Sequence, residues 1–403
     1  MDVVNLNEFI TKFVTKRDKS FFKKDLECYH DTLYKEINGS SVLVIGGSGT
    51  IGSNYIKTLL KYSPSKIVVV DTNENGLTEL VRDIRSSNNL KAPNQFITYP
   101  VNLGDPIFEK IYNHYKPFDI VANFAAHKHV RSEKDLFSIE AMIQNNLFNA
   151  YTLLELIAKD KPAHFFCVST DKAANPVNIM GATKKLMEEL VMEYSKNIKC
   201  TSARFANVAF SNGSLLDGYT NRILKHQPLS FPEDIMRYFI SPKESGEICT
   251  IASIIGKSED IFFPKLLKNQ LIGFHDITEH YLAELGFTME VCLTEIEAKE
   301  KAQFIDKTKK YPVLSNCSNT SGEKLFEEFY TDNEVVDWDS YYSLAVTKFI
   351  NNNVDKNCGV LIKELKALFA QNELDKEDIV KYLTDKIKTF DYIEKSLTLD
   401  LLM

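Results

Sequence analysis

The sequence predicts an α/β fold: a Rossmann-type, doubly wound parallel sheet with a smaller substrate-binding part and helical N- and C-terminal extensions. Three observations predict it. Short, β-prone apolar runs alternate with amphipathic stretches, a glycine-rich turn follows the first run directly, and an acidic residue closes the second. The runs are Val42–Ile45, Lys66–Val70, Phe96–Tyr99, Asp119–Phe124 and His164–Val168. Each is nearly continuous in apolar character, as strands covered on both faces are. Helical patterns such as Ser53–Leu60 and Leu147–Lys159 lie between them, and a sixth strand is expected at Thr201–Phe205.

Around this centre the chain divides into three zones. Residues 1–40 read as a helical extension, with Phe9, Ile10, Phe13 and Val14 at helical spacing. Residues 41–265 carry the sheet, and residues 266–403 form a C-terminal substrate-side and helical region. In that last zone, 287–302 suggests a strand and then a helix, and 360–371 and 375–388 suggest helices, the second introduced by Asp375. The zone either covers the mouth of the sheet or serves as a docking arm.

Composition narrows the function classes. With 44% hydrophobic and 26% charged residues the chain has the makeup of a globular protein, which argues against wholesale disorder. A formal net charge of -7 makes affinity for nucleic acid through bulk charge an unsuitable expectation, so an anionic ligand needs a local cationic site. Seven cysteines, odd in number and without a CxxC pair, fit free thiols in a reducing compartment. No signal-peptide core and no membrane-spanning apolar run is present, so a cytoplasmic location is expected.

The first run leads straight into Gly46-Gly47-Ser48-Gly49-Thr50-Ile51-Gly52, which satisfies GxGxxG through Gly47, Gly49 and Gly52. Without Cβ atoms the chain turns tightly, approaches a pyrophosphate closely and seats the next helix on the sheet; that helix then aims free N–H groups at the phosphates. A tight glycine turn is the plainer explanation of such a loop alone. Here the strand before it, the helix after it and Asp71 at the end of the next strand supply the context of a dinucleotide site. Asp71 is suited to accept from adenosine ribose hydroxyls and to repel a 2′-phosphate. No Arg or Lys follows in Thr72-Asn73-Glu74-Asn75, so NAD is expected rather than NADP.

The fifth run ends in Ser169-Thr170-Asp171-Lys172, at the carboxyl edge where open α/β sheets place ligands. A hydroxyl, a carboxylate and an ammonium on consecutive residues are equipped for proton traffic, although a plain polar loop has the same residues. The helix that follows carries Met180 and Lys184, four apart and on one face. On spacing alone, an exposed helical lysine is the commoner explanation of Lys184. His127-Lys128-His129 lacks a third ligand at suitable spacing, and no metal site is expected.

The glycine loop, Ala125-Ala126-His127-Lys128-His129-Val130, the run STDKAANPVNIMGATK from Ser169 to Lys184, and RFANV from Arg204 to Val208 together resemble one family. It is the UDP-N-acetylglucosamine 4,6-dehydratases of bacterial surface-polysaccharide synthesis, a branch of the extended short-chain dehydrogenase/reductases. The resemblance covers roughly residues 40–265 and is most specific in the STDKA…NP…MGATK run. It implies an NAD-dependent lyase that oxidises C4 of a UDP-N-acetylhexosamine, eliminates water across C5 and C6, and returns hydride to C6. It further implies Asp171 as the acid for the C6 hydroxyl, Lys172 as the base at C5 and Thr170 as a partner of the C4 hydroxyl. Met180 stands where the superfamily usually has Tyr, and a thioether cannot titrate. Another group, with Lys184 as the candidate, or a water must then assist at C4.

The same resemblance assigns Gly46, Gly49, Thr50, Ile51, Gly52, Asp71, Asn102, Ala125, Ala126 and Lys184 to the cofactor. It assigns Lys128, His129, Asn207, Ser214 and Arg237 to the substrate, Arg237 being apt for phosphate. Asn146 matches a residue that supports the active-site backbone. A homodimer or larger homo-oligomer is implied, paired through Leu147–Lys159 and Lys184–Glu193. Two rival readings are a 4-epimerase or C5-epimerising dehydratase on the same scaffold, and a scaffold that binds NAD without turnover.

Overall fold

The computed structural model describes residues 4–317, 327–348 and 357–393. Six parallel strands run in chain order as β1 (Ser41–Ile45), β2 (Lys66–Asp71), β3 (Gln95–Pro100), β4 (Ile120–Asn123), β5 (His164–Val168) and β6 (Cys200–Ala203). They lie side by side as β3-β2-β1-β4-β5-β6. Strand order reverses between β1 and β4, which opens a crevice at their carboxyl ends where this architecture binds ligands. In the register there, Ile45 stands beside both Val70 and Asn123.

The continuous apolar runs are explained by cover on both faces. Val42, Val44, Ile67 and Val69 face one core, packed with Tyr55, Ile56 and Leu59 of the helix Thr50–Leu59 and Ile248, Ile251 and Ala252 of the helix Pro242–Ile254. Leu43, Ile45, Val68 and Val70 face the other, with Leu153, Leu154 and Ile157 of Asn149–Ile157 and Leu186, Met187 and Leu190 of Ile179–Tyr194. The helix Pro242–Ile254 comes so close to its neighbour that a Cβ on Gly246 would lie 2.2 Å from the Asn54 carbonyl oxygen. Only glycine fits there.

The C-terminal zone is woven into this sheet. Asp260–Pro264 adds parallel to β6, and Leu344–Lys348 and Val336–Asp337 then add antiparallel beyond it. The last two come from the stretch read above as a separate region. The N-terminal helices close over them, Asp25 accepting from the N–H groups of Tyr342 (2.7 Å) and Ser343 (2.8 Å). The smaller lobe holds a three-stranded parallel sheet of Thr288–Cys292, Lys310–Asn316 and Leu229–Pro232, around Phe210, Tyr219, Phe231, Tyr281 and Tyr311.

Two further features depart from the sequence reading. The helix expected at Leu147–Lys159 belongs to a longer one that begins at Leu136 and contains a wide turn, Gln144–Phe148, in which Asn149 N–H donates to Gln144 O. Such turns recur at functional sites. The face of Lys184–Glu193 expected to pair with a second copy is covered within the chain: Leu361, Ile362 and Leu365 of Cys358–Phe369 and Ile379 and Leu383 of Lys376–Lys386 share its core. Among the described residues no helix is long and apolar enough to cross a membrane.

Candidate active site

The glycine loop is shaped by backbone crowding. Gly46 has φ 75°, and a Cβ there would lie 2.6 Å from Ala125 N, so the turns after β1 and β4 meet at this point. A Cβ on Gly52 would lie 2.4 Å from Gly46 O, whereas one on Gly49 would make ordinary contact at 3.6 Å. Gly49 therefore leaves room above the loop. The helix Thr50–Leu59 starts there with no side chain capping its first N–H groups. Ile51 packs on the core below. Asp71 accepts from Ser48 N–H (2.9 Å) and Asn73 N–H (2.9 Å), which fixes its carboxylate beside the loop. An open glycine rim, an uncapped helix start and an anchored acid together fit a dinucleotide's pyrophosphate and ribose.

Neighbouring turns complete this side. Asn102 Oδ1 accepts from Gly104 N–H (2.7 Å) and Asn149 Nδ2 (3.3 Å), and Ala125 N–H donates to Asn123 Oδ1 (3.1 Å), with Ala126 half-buried next to it. Asn146, placed by the wide turn, grips His127 at both backbone groups (2.8 and 2.9 Å) and also donates to Thr183 Oγ1 (3.2 Å).

At the end of β5, Thr170 Oγ1 donates to Asp171 Oδ1 at 2.7 Å, and Lys172 Nζ lies 3.7 Å from the same oxygen. Asp171 is buried and Lys172 half-buried. Asn178 caps the next helix through Gly181 N–H (2.7 Å), and Glu133 accepts from Met180 N–H (2.8 Å). Both Met180 and Lys184 are buried. Lys184 is thus no surface lysine: its Nζ donates to Val168 O (3.1 Å), and burial pushes its pKa down.

The residues that the resemblance assigns to the substrate fall into two groups. Lys128 Nζ donates to Asn212 O (2.8 Å), Asn212 N–H donates to Thr50 Oγ1 (2.9 Å), and His129 lies against Gly213. This binds the turn before Ser214 to the glycine-loop helix. Ser214 itself caps the helix Leu215–Leu224, accepting from Asp217 N–H (3.2 Å). The second group is Asn207 on Asn207–Val208 and Arg237 on Met236–Arg237. Both meet Glu327, a residue the sequence reading did not single out. Asn207 Nδ2 donates to its carboxylate, Arg237 Nε lies 3.7 Å from it, and Tyr238 N–H donates at 3.4 Å. Glu327 is buried; burial, then the charge of Asp171, pushes its carboxyl up to about 7 against the pull of Arg237 and Lys172. Next to it, Glu328 accepts from Asn175 Nδ2 of the Ala173–Pro176 loop at 3.0 Å. The available signal was a pair of acids set between Phe326 and Phe329.

Arg204, of the RFANV run, binds these parts together. Fully buried, it donates to both oxygens of Glu188 (2.9 and 2.8 Å), both of Glu334 (2.8 and 2.8 Å) and Phe329 O (2.8 Å). Ser169 Oγ also donates to Glu188, at 2.6 Å. The Ser169–Lys172 run, the helix behind it and the segment 327–334 therefore share one buried network. Among the described residues no group of three His, Cys, Asp or Glu side chains is placed to hold a metal ion.

Comparison with known proteins agrees with this architecture. An uncharacterized membrane protein of Methanocaldococcus jannaschii is 29% identical over 86% of this chain and 95% of its own length. The capsular polysaccharide biosynthesis protein CapD of Staphylococcus aureus is 26% identical over 84% of this chain, which spans about half (53%) of that protein. The inverting UDP-N-acetylglucosamine 4,6-dehydratase of Campylobacter jejuni is 27% identical over 57% of this chain and 68% of its own. The crystal structure of Pen from Bacillus thuringiensis superposes with a TM-score of 0.60 at 21% identity, covering 77% of this chain and 87% of that one. The polysaccharide biosynthesis protein family matches residues 42–348, and the chain belongs to that family.

Proposed function

We propose that the protein is an NAD-dependent 4,6-dehydratase of a UDP-N-acetylhexosamine, with UDP-N-acetylglucosamine as the first substrate to test. The observation that carries this reading is the Thr170–Asp171–Lys172 arrangement at the carboxyl end of β5, with the hydroxyl and the ammonium both drawn to one oxygen of a buried carboxylate. Kinship with a dehydratase of that name supports the substrate class. The glycine loop, Asp71, Asn102, Ala125, Ala126 and Lys184 would hold NAD, which supplies reversible hydride transfer at the sugar.

In this reading Lys172 takes the C5 proton and Asp171 gives a proton to the departing C6 hydroxyl, so that water leaves across C5 and C6. Thr170 orients the C4 hydroxyl. Lys184 contributes positive charge beside it, because Met180 has no proton to exchange. Asn207 and Arg237 take the diphosphate, and Lys128, His129 and Ser214 add further substrate contacts.

Proton NMR of the protein with NAD and UDP-N-acetylglucosamine tests the proposal. Dehydration creates a new C6 methyl doublet. A hexose that keeps its C6 oxygen, as an epimerase would produce, or NAD binding without turnover, overturns it.

A further inference from the structure

We propose that Glu327 is the resident anion of the substrate's diphosphate site, holding Asn207 and Arg237 in the free protein and giving up those contacts, by taking a proton, when the sugar nucleotide binds. This rests on the reading above that Asn207 and Arg237 receive the diphosphate.

Three donors converge on this one carboxylate. They are Asn207 Nδ2, Tyr238 N–H at 3.4 Å and, at ion-pair range, Arg237 Nε at 3.7 Å. Two belong to neighbouring positions of one short run and the third to a strand paired with the end of that run, Asn207 standing opposite Phe239. The result is a pocket of positive and donor groups, the kind of site that suits an anion. The occupying carboxylate comes from far along the chain, and its segment is anchored: Arg204 holds Phe329 O and Glu334 at 2.8 Å. Glu327 is therefore built into the site.

A diphosphate and a carboxylate compete for the same donors. Facing Glu327 are Arg237 and Lys172, which favour its charge, and Asp171, which opposes it; Tyr238 lies close enough that its phenol is raised by burial and by the Glu327 charge. The carboxyl already stands near neutrality, at about 7, chiefly through burial. Diphosphate charge beside it raises it further. Taking one proton from solvent costs least, and the neutral acid then donates to a phosphate oxygen.

The test is titration calorimetry of the full chain and of Glu327→Gln with UDP, in buffers of different ionisation heat. The wild type is expected to take up a proton on binding. Between about pH 6 and pH 8 its affinity should fall about tenfold relative to the variant, in which both proteins see the same titration of UDP itself. If Glu327→Gln fails to fold, Glu327→Ser carries the same comparison, with NAD binding as the check that the sheet is intact. UDP binding with identical proton uptake and pH dependence in wild type and variant overturns this proposal alone. No UDP binding by either protein, with NAD still bound, overturns it together with the substrate class.

Discussion

From Gly46 to Asp71 one side of the cleft is made from a single continuous stretch, with turn, helix and acid in sequence order and contacts that are mostly backbone. The other side brings Asn207, Arg237 and Glu327 together from three elements, the Asn207–Glu327 contact spanning 120 residues. The first side is local and steric, so a Cβ is enough to disturb it. The second is long-range and ionic, so its integrity depends on the Arg204 network that holds the segment 327–334. The Asp171–Lys172 pair, at the end of β5, lies close enough to Glu327 for its charges to act on that carboxyl.

Substitutions separate these modes of construction. The largest effect is expected at the end of β5: Lys172→Ala should lower dehydration on the order of a thousandfold while NAD binding persists, as methyl-signal kinetics and cofactor titration will show. Next comes Arg204→Met, which leaves Glu188 and Glu334 buried with only Lys185, 3.9 Å from each, as counter-ion and should cost about 3 kcal/mol in urea denaturation. Burial alone would raise the Glu188 carboxyl, but Arg204, with Lys185 and Ser169, holds it below the ordinary carboxylate range. That stabilisation is complete above the ordinary carboxylate value and disappears as pH falls through the lowered one. Wild type and variant should therefore converge in stability in acid; a constant gap at all pH values would show that the ion pair is not the cause.

On the local side, Gly52→Ala should destabilise by about 2 kcal/mol, because its Cβ meets backbone, while Gly49→Ala leaves the melting temperature unchanged and weakens NAD. Equal melting losses in the two variants would contradict the steric account. The smallest change is expected from Asp71→Ser, which should narrow the preference for NAD over NADP about tenfold in fluorescence titrations.

The local side is readable in the sequence because it is local. Glycine spacing, the strand-end acid and the continuous apolar runs are properties of neighbouring residues, and the observed strands begin and end close to those runs. Burial settled what spacing left open at Lys184, whose Nζ reaches Val168 O inside the core. Glu327, Glu188 and Glu334 carried no comparable signal, since an acid in a charged stretch reads as solvated until its distant partner is known. Leu344–Lys348 escaped notice as a strand because it stands outside the strand–helix alternation and pairs antiparallel with Asp260–Pro264, far back in the chain. The covered face of Lys184–Glu193 was hidden likewise, since its cover arrives from the C-terminal helices.

The account depends most on Lys172 working at C5 of the sugar. Proton NMR in deuterated water, with wild type and Lys172→Ala side by side on UDP-N-acetylglucosamine with NAD, tests it most directly. The expected result is a 6-deoxy product carrying deuterium at C5 from the wild type, and no methyl signal from the variant. A methyl product formed at the same rate by both proteins, or formed with C5 still bearing its original hydrogen, would contradict it.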